Sequence, residues 1–150
     1  GIVFTFANAD AEGAKINEIL MAFAKARPHT HCHPSLGPTR FQSLLRLTSV
    51  MVGNSSSGLY EAPSWDVPAV NIGRRQDGRL RATSVIDCPP ERGAIAAAIE
   101  RALAMHPQGT VSPYGDGKAS ERIVAVLKDL PDWQGLVYKS FLDLPATGKE

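Results

Sequence analysis

Apolar positions along this chain alternate between short continuous runs and runs spaced by three and four residues. Residues 2–6 (Ile-Val-Phe-Thr-Phe) predict a buried strand. Residues 10–26, with Ile16, Ile19, Leu20 and Phe23 on one face, predict an amphipathic helix that Pro28 stops. His29 to His33 reads as a second strand, Phe41 to Leu47 as a short helix, and Val50 to Val52 as a third strand. A short helix from Ser56 to about Ala62 ends at Pro63, Ala69 to Ile72 forms a fourth strand behind Pro68, and Ser84 to Asp87 a fifth. Pro89-Pro90-Glu91 opens a long helix through Ala96, Ala97, Ala98, Ile99 and Leu103, because proline and an acid both suit a helix start. A further helix follows from Ser120 to Leu130, then an apolar, helical tail at about 132–144 with Trp133, Leu136, Phe141 and Leu144.

Strands that alternate with helices and end at Gly, Pro or Asn predict an α/β, Rossmann-like parallel sheet with helices on both faces. Its 150 residues fit one domain, 1–150, with the tail appended. Ligands of such sheets bind at the carboxyl ends of the strands, so the loops after Phe6, Val52 and Ile72 are the places to look.

Charge narrows the partners. Sixteen basic and 15 acidic side chains leave a net charge of +1, which gives no footprint for nucleic acid or an anionic membrane. The exception is local: Arg74, Arg75, Arg79 and Arg81 lie close together, a density suited to one phosphorylated small molecule. Cys32 and Cys88 form no disulfide framework and read as free thiols of a reducing cytoplasm. No apolar run reaches the ~20 residues of a membrane span. The chain moves from Gly1 directly into an apolar strand, which reads as a domain taken from a longer polypeptide.

Two loops carry the candidate chemistry. After the third strand comes G-N-S-S-S-G, residues 53–58, where glycines let the backbone turn and serine hydroxyls join the unpaired amides of a helix start. That combination favours a phosphate, and Glu61, one turn on, can reach the hydroxyls of an attached ribose. The alternative is a turn whose serines only cap the helix. After the fourth strand comes N-I-G-R-R-Q-D-G-R, residues 71–79, with arginines able to contact phosphate bidentately, or else a solvated basic turn.

The ordered set G-N-S-S-S-G-x-x-E-A-P-S, V-P-x-V-N-I-G-x-R-Q-x-G-R and P-Y-G-D-G-x-A-S-E resembles the hydrolysing UDP-N-acetylglucosamine 2-epimerases, and F-T-F-A-N-A-D at 4–10 is similar to their first-strand loop. The likeness runs from Phe4 to about Leu130. It implies the C-terminal half of a GT-B fold, binding UDP or a UDP-sugar, in an enzyme that eliminates UDP to a glycal and adds water to give N-acetylmannosamine or a related sugar. Sialic-acid and related pathways, a cytoplasmic location and a homo-oligomeric full-length enzyme are part of that implication, as is the lack of any cofactor. The resemblance places Ser55 and Ser56 at the diphosphate, Asn54, Ser57 and Gly58 in the UDP site with them, Glu61 at the ribose, Arg75 near the phosphates, and Leu36 and Phe41 at the uracil. Proton-transferring carboxylates belong to the family's N-terminal domain, a partner this chain lacks, so the isolated domain is expected to be inactive. Arg74 stands where the family often has an acidic or small polar residue, which leaves open which arginine meets the phosphate. The rival readings are the donor-nucleotide domain of a GT-B glycosyltransferase and a non-catalytic nucleotide-binding module.

Other motifs carry less. In H-T-H-C-H, residues 29–33, a strand puts the histidines on one face and Cys32 on the other, so they do not converge on a metal. G-D-G-K-A-S, residues 115–120, fails the phosphate-loop pattern and reads as a turn into a helix with Asp116 or Ser120 near its cap. In the first loop Asn8 and Asp10 are candidates for the sugar side, with helix capping the preferred reading for Asp10.

Overall fold

A computed structural model of the chain describes residues 1–8 and 12–142. Among the described residues five strands and five α-helices follow in order: β1 (Ile2–Thr5), α1 (Gly13–Lys25), β2 (Thr30–His33), α2 (Gly37–Leu45), β3 (Met51–Gly53), α3 (Ser57–Tyr60), β4 (Ala69–Ile72), β5 (Val85–Cys88), α4 (Arg92–Leu103) and α5 (Ala119–Lys128). Two 3₁₀ turns, Ala62–Trp65 and Gly135–Val137, complete the set. No helix among the described residues is long and apolar enough to cross a membrane.

All strand pairing among the described residues is parallel, as an α/β chain requires. The hydrogen bonds divide the strands into two ladders, β1–β2 and β3–β4–β5, where the pattern of the sequence predicts one sheet. In the larger ladder Met51 lies beside Ala69 and Ala69 beside Val85, so Gly53, Asn71 and Asp87 end up level at the carboxyl edge. The loops after β3 and β4 therefore start from one edge.

Both faces of that ladder are covered, which the period-two alternation of its strands explains. Val70, Ile86 and Cys88 point to one side and pack on Ala98 and Ala102 of α4. Ala69 points to the other, where it packs with Leu45, Ala62 and Val67, and with Phe41, Met51 and Val85 at the margin. Small alanines on α4 and on the 3₁₀ turn let these elements approach the strands closely. In the smaller ladder Phe4 meets Phe23 of α1 edge to face, with ring centroids 5.7 Å apart.

The chain separates into two compact units, Gly1–Pro113 and Tyr114–Glu150. In the second unit Asp116 accepts the Lys118 backbone N–H and a two-pronged contact from Arg122 at 2.9 and 2.6 Å, which fixes the entry to α5. Of the helical tail expected at 132–144, the described part holds one 3₁₀ turn, Gly135–Val137. Asp132 Oδ1 accepts the backbone N–H groups of Gln134 and Gly135, two and three residues on, and so caps the entry to that turn. Residues 143 and 144 of that tail lie outside the described residues.

Candidate functional site

The serine loop leaves β3 through Gly53, whose φ of 148° is open to glycine and strained for other residues. At Gly58 α3 packs on β4, and a β-carbon there would stand 3.4 Å from the Ala69 side chain, an ordinary packing distance. Between them the serines divide their work. Ser55 closes the turn, its Oγ accepting the Ser57 N–H at 3.3 Å and its carbonyl the Gly58 N–H at 3.2 Å. Ser56 stands at the N-cap of α3, yet its side chain makes no capping bond. The capping explanation thus accounts for Ser55 and not for Ser56. α3 is a single turn, so hydroxyls and individual amides, rather than a macrodipole, are what this loop offers an anion.

The arginine loop is tied to the serine loop at one atom. Arg75 Nη1 and Gln76 Nε2 both donate to the carbonyl oxygen of Asn54, at 3.0 and 2.7 Å. Gln76 is buried, and its Oε1 accepts Arg79 Nη1 at 2.6 Å. Arg79 also lies over the Tyr60 ring, 5.3 Å from its centroid. Arg81 donates to Asp87 Oδ2 at 2.8 Å and to the Gln76 carbonyl at 3.1 Å, while Asn71 Nδ2 holds the other oxygen of Asp87. Arg74 pairs instead with Asp77 three residues on, in a contact open to water, and that carboxylate raises its pKa. Among the described residues, Arg75 is the one of the four clustered arginines that donates to the serine loop. One of its five N–H groups is engaged there, which leaves others for a ligand.

Glu61 follows α3 by one residue, half-buried, with Gln42 Nε2 donating to its Oε1 at 2.9 Å. Gln42 Oε1 in turn accepts the indole N–H of Trp65. Leu36 is the N-cap residue of α2 and half-buried. Phe41 leans on the Leu45–Ala62–Val67–Ala69 core, so part of its ring serves packing.

In the first loop the Ala7 N–H donates to Asn17 Oδ1 at 2.8 Å, and Asn8 is exposed. Gly13 is obligatory there, since a β-carbon would stand 2.0 Å from the Asn8 carbonyl oxygen. Asp10 lies outside the described residues. His31 and His33 stack along the exposed face of β2, ring centroids 6.5 Å apart, with Cys32 on the opposite, half-buried side. His29 has left the strand at a positive φ of 59°. Asp66, also in left-handed geometry, caps the incoming segment by accepting the Gly109 and Thr110 N–H groups at 3.1 and 2.7 Å. Those bonds, Thr110 foremost, hold its carboxyl below the usual range.

Sequence reasoning missed Gln76, Gln42 and Asp66. The strict N-I-G-x-R-Q string held a signal for the first; nothing local marks the other two, whose partners lie 19 to 44 residues away.

Comparison with known proteins gives a consistent answer. Residues 1–128 match the family model described as UDP-N-acetylglucosamine 2-epimerase. The chain is 44% identical over 87 residues to the GDP/UDP-N,N'-diacetylbacillosamine 2-epimerase (hydrolyzing) of Campylobacter jejuni, an overlap of 57% of this chain and 23% of that protein. It is 33% identical over 148 residues to the polysialic acid biosynthesis protein P7 of Escherichia coli, covering 95% of this chain and 37% of that one. To the UDP-N-acetylglucosamine 2-epimerase of Neisseria meningitidis it is 32% identical over 114 residues, 74% of this chain and 30% of that enzyme. The chain thus spans between 23% and 37% of the length of these curated relatives.

Proposed function

Because this chain belongs to the UDP-N-acetylglucosamine 2-epimerase family, we propose that its serine and arginine loops form the UDP-binding half of a hydrolysing UDP-sugar 2-epimerase. The observation that carries this reading is the convergence of Arg75 and Gln76 on the Asn54 carbonyl, which ties a guanidinium to the backbone of the serine loop. In the proposed pose the Ser56 hydroxyl, Asn54, Ser57, Gly58 and Arg75 face the diphosphate, Glu61 accepts from the ribose hydroxyls, and Leu36 with the exposed part of Phe41 borders the uracil. Asn8 lies on the sugar side.

The chemistry divides accordingly. A base removes the proton at C2 of the sugar while the C1–O bond breaks, and UDP leaves with the bonding electron pair, giving a glycal. Water then adds across C1–C2 from the side that leaves C2 inverted. Negative charge grows on the β-phosphate in the first step, so a fixed guanidinium stabilises the transition state more than the ground state. The proton-transferring groups come from outside these 150 residues, in a preceding domain of the same polypeptide, and this unit alone binds UDP without turnover.

The test is product analysis of the full-length protein with a UDP-2-acetamido sugar and no acceptor. The proposal expects UDP and the free 2-epimeric sugar. A sugar released only when an acceptor is supplied points to a glycosyltransferase, and binding with no product to a non-catalytic module.

A further inference from the structure

Gln42 stands on α2, 19 residues before Glu61, and no motif marks it. Its amide is nonetheless held at both ends. Nε2 donates to Glu61 Oε1 at 2.9 Å, and Oε1 accepts the Trp65 indole N–H. A carboxylate only accepts and an indole N–H only donates, so these partners fix which end of the amide points where. Trp65 is itself covered by Arg46, whose guanidinium lies 5.1 Å from the ring centroid, one residue past the end of α2. The three side chains make a brace from α2 across the 3₁₀ turn to the carboxylate that follows α3.

We propose that Gln42 is a positioning residue for ribose recognition: it holds Oε1 of Glu61 and so presents the other carboxylate oxygen to the nucleotide. This rests on the reading of Glu61 as the ribose ligand. A carboxylate on an unbraced side chain would lose rotamer freedom on binding each nucleotide; the bond from Gln42 imposes that order before the ligand arrives. The same helix begins beside Leu36, so the brace also couples the uracil side of the site to the ribose side.

The experiment compares UDP with 2′,3′-dideoxy-UDP, which lacks both hydroxyls, by titration calorimetry on the full-length protein. The ratio of the two affinities reads the ribose contact alone, and a general loss of structure lowers both together. The variants are Glu61→Ala, Gln42→Met and Gln42→Glu. Met keeps the volume and removes both hydrogen bonds; Glu keeps an acceptor for Trp65 and sets a like charge against Glu61. The wild-type protein should favour UDP, Glu61→Ala should abolish the preference, and both Gln42 variants should cut it by roughly fivefold, the worth of one hydrogen bond. Affinity for the dideoxy compound should stay within about twofold in all three, since none of the removed bonds reaches it. If Glu61→Ala abolishes the preference while Gln42→Met keeps it, Gln42 has no positioning role and the ribose assignment stands. If Gln42→Glu alone keeps it, the support runs through Trp65 and the proposed bond is wrong. If Glu61→Ala keeps the preference, the ribose assignment falls, and this inference falls with it.

Discussion

Gln76 Nε2 lies 2.7 Å from the carbonyl oxygen of Asn54, and this bond joins the loops after β3 and β4. A glutamine in a basic, glycine-flanked loop reads as a solvent-facing residue, yet this one is 1% exposed. Its two ends are spent on Asn54 and Arg79, and its own carbonyl on Arg81. The loop that carries Arg75 is therefore built around its neighbour.

Replacing Gln76 with leucine keeps the volume and removes both side-chain bonds. The Asn54 carbonyl retains Arg75, and Arg79 can turn to water, so the loss should be about 1–3 kcal/mol rather than a collapse of the fold. Urea unfolding of the variant should show a lower midpoint at an unchanged slope.

The two adjacent arginines should differ in the reaction. Arg74 is engaged with Asp77 on the surface, whereas Arg75 reaches the serine loop. Arg75→Ala should lower turnover of the full-length enzyme by ~10²-fold, the usual loss for one preorganised donor at a developing charge. Arg74→Ala should change it by less than about threefold, as befits a solvated ion pair. Lysine at 75 should recover only part, because it keeps the charge without the planar fork. Steady-state kinetics of the three variants gives the answer.

How far the sequence carries is uneven for a physical reason. Apolar periodicity is a local signal, so the positions of β1 to β5 and of α1, α4 and α5 could be read within a few residues. The serine loop was readable too, because the glycine at 53 marks a turn at a positive φ. Hydrogen-bond partners distant in sequence leave no such mark. Four arginines read as one phosphate-binding cluster, yet Arg79 and Arg81 hold the loop together and Arg74 faces solvent. Phe41 carries both a motif resemblance and a packing role, and only the fold reveals the second. The division of the strands into two ladders has no counterpart in the pattern, since period-two alternation tells which way side chains point and not which strands pair.

Asp66 gives the fold an acid-sensitive anchor. Its carboxyl sits below its ordinary value of 3.8 because the Thr110 backbone N–H, then the Thr110 hydroxyl and the Gly109 N–H, favour the ionised form. A depressed pKa means that the contribution to stability is fully present above 3.8 and is lost as the pH falls through the folded value. Asp66→Asn should lower the melting temperature at neutral pH, and the gap to wild type should narrow below pH 3.8. Thermal melts on both proteins across that range check it.

In the proposed site the Ser56 hydroxyl and Arg75 together hold the diphosphate. The direct measurement is the affinity for UDP relative to uridine, in the full-length protein and in the Ser56→Ala/Arg75→Ala double variant. Loss of a neutral and a charge-assisted hydrogen bond, about 0.5–1.5 and 1.5–3 kcal/mol, should cut the preference for UDP by at least ~30-fold. Uridine affinity should not change, because Glu61, Leu36 and Phe41 remain. A double variant that keeps the wild-type preference would place the diphosphate elsewhere and contradict the account.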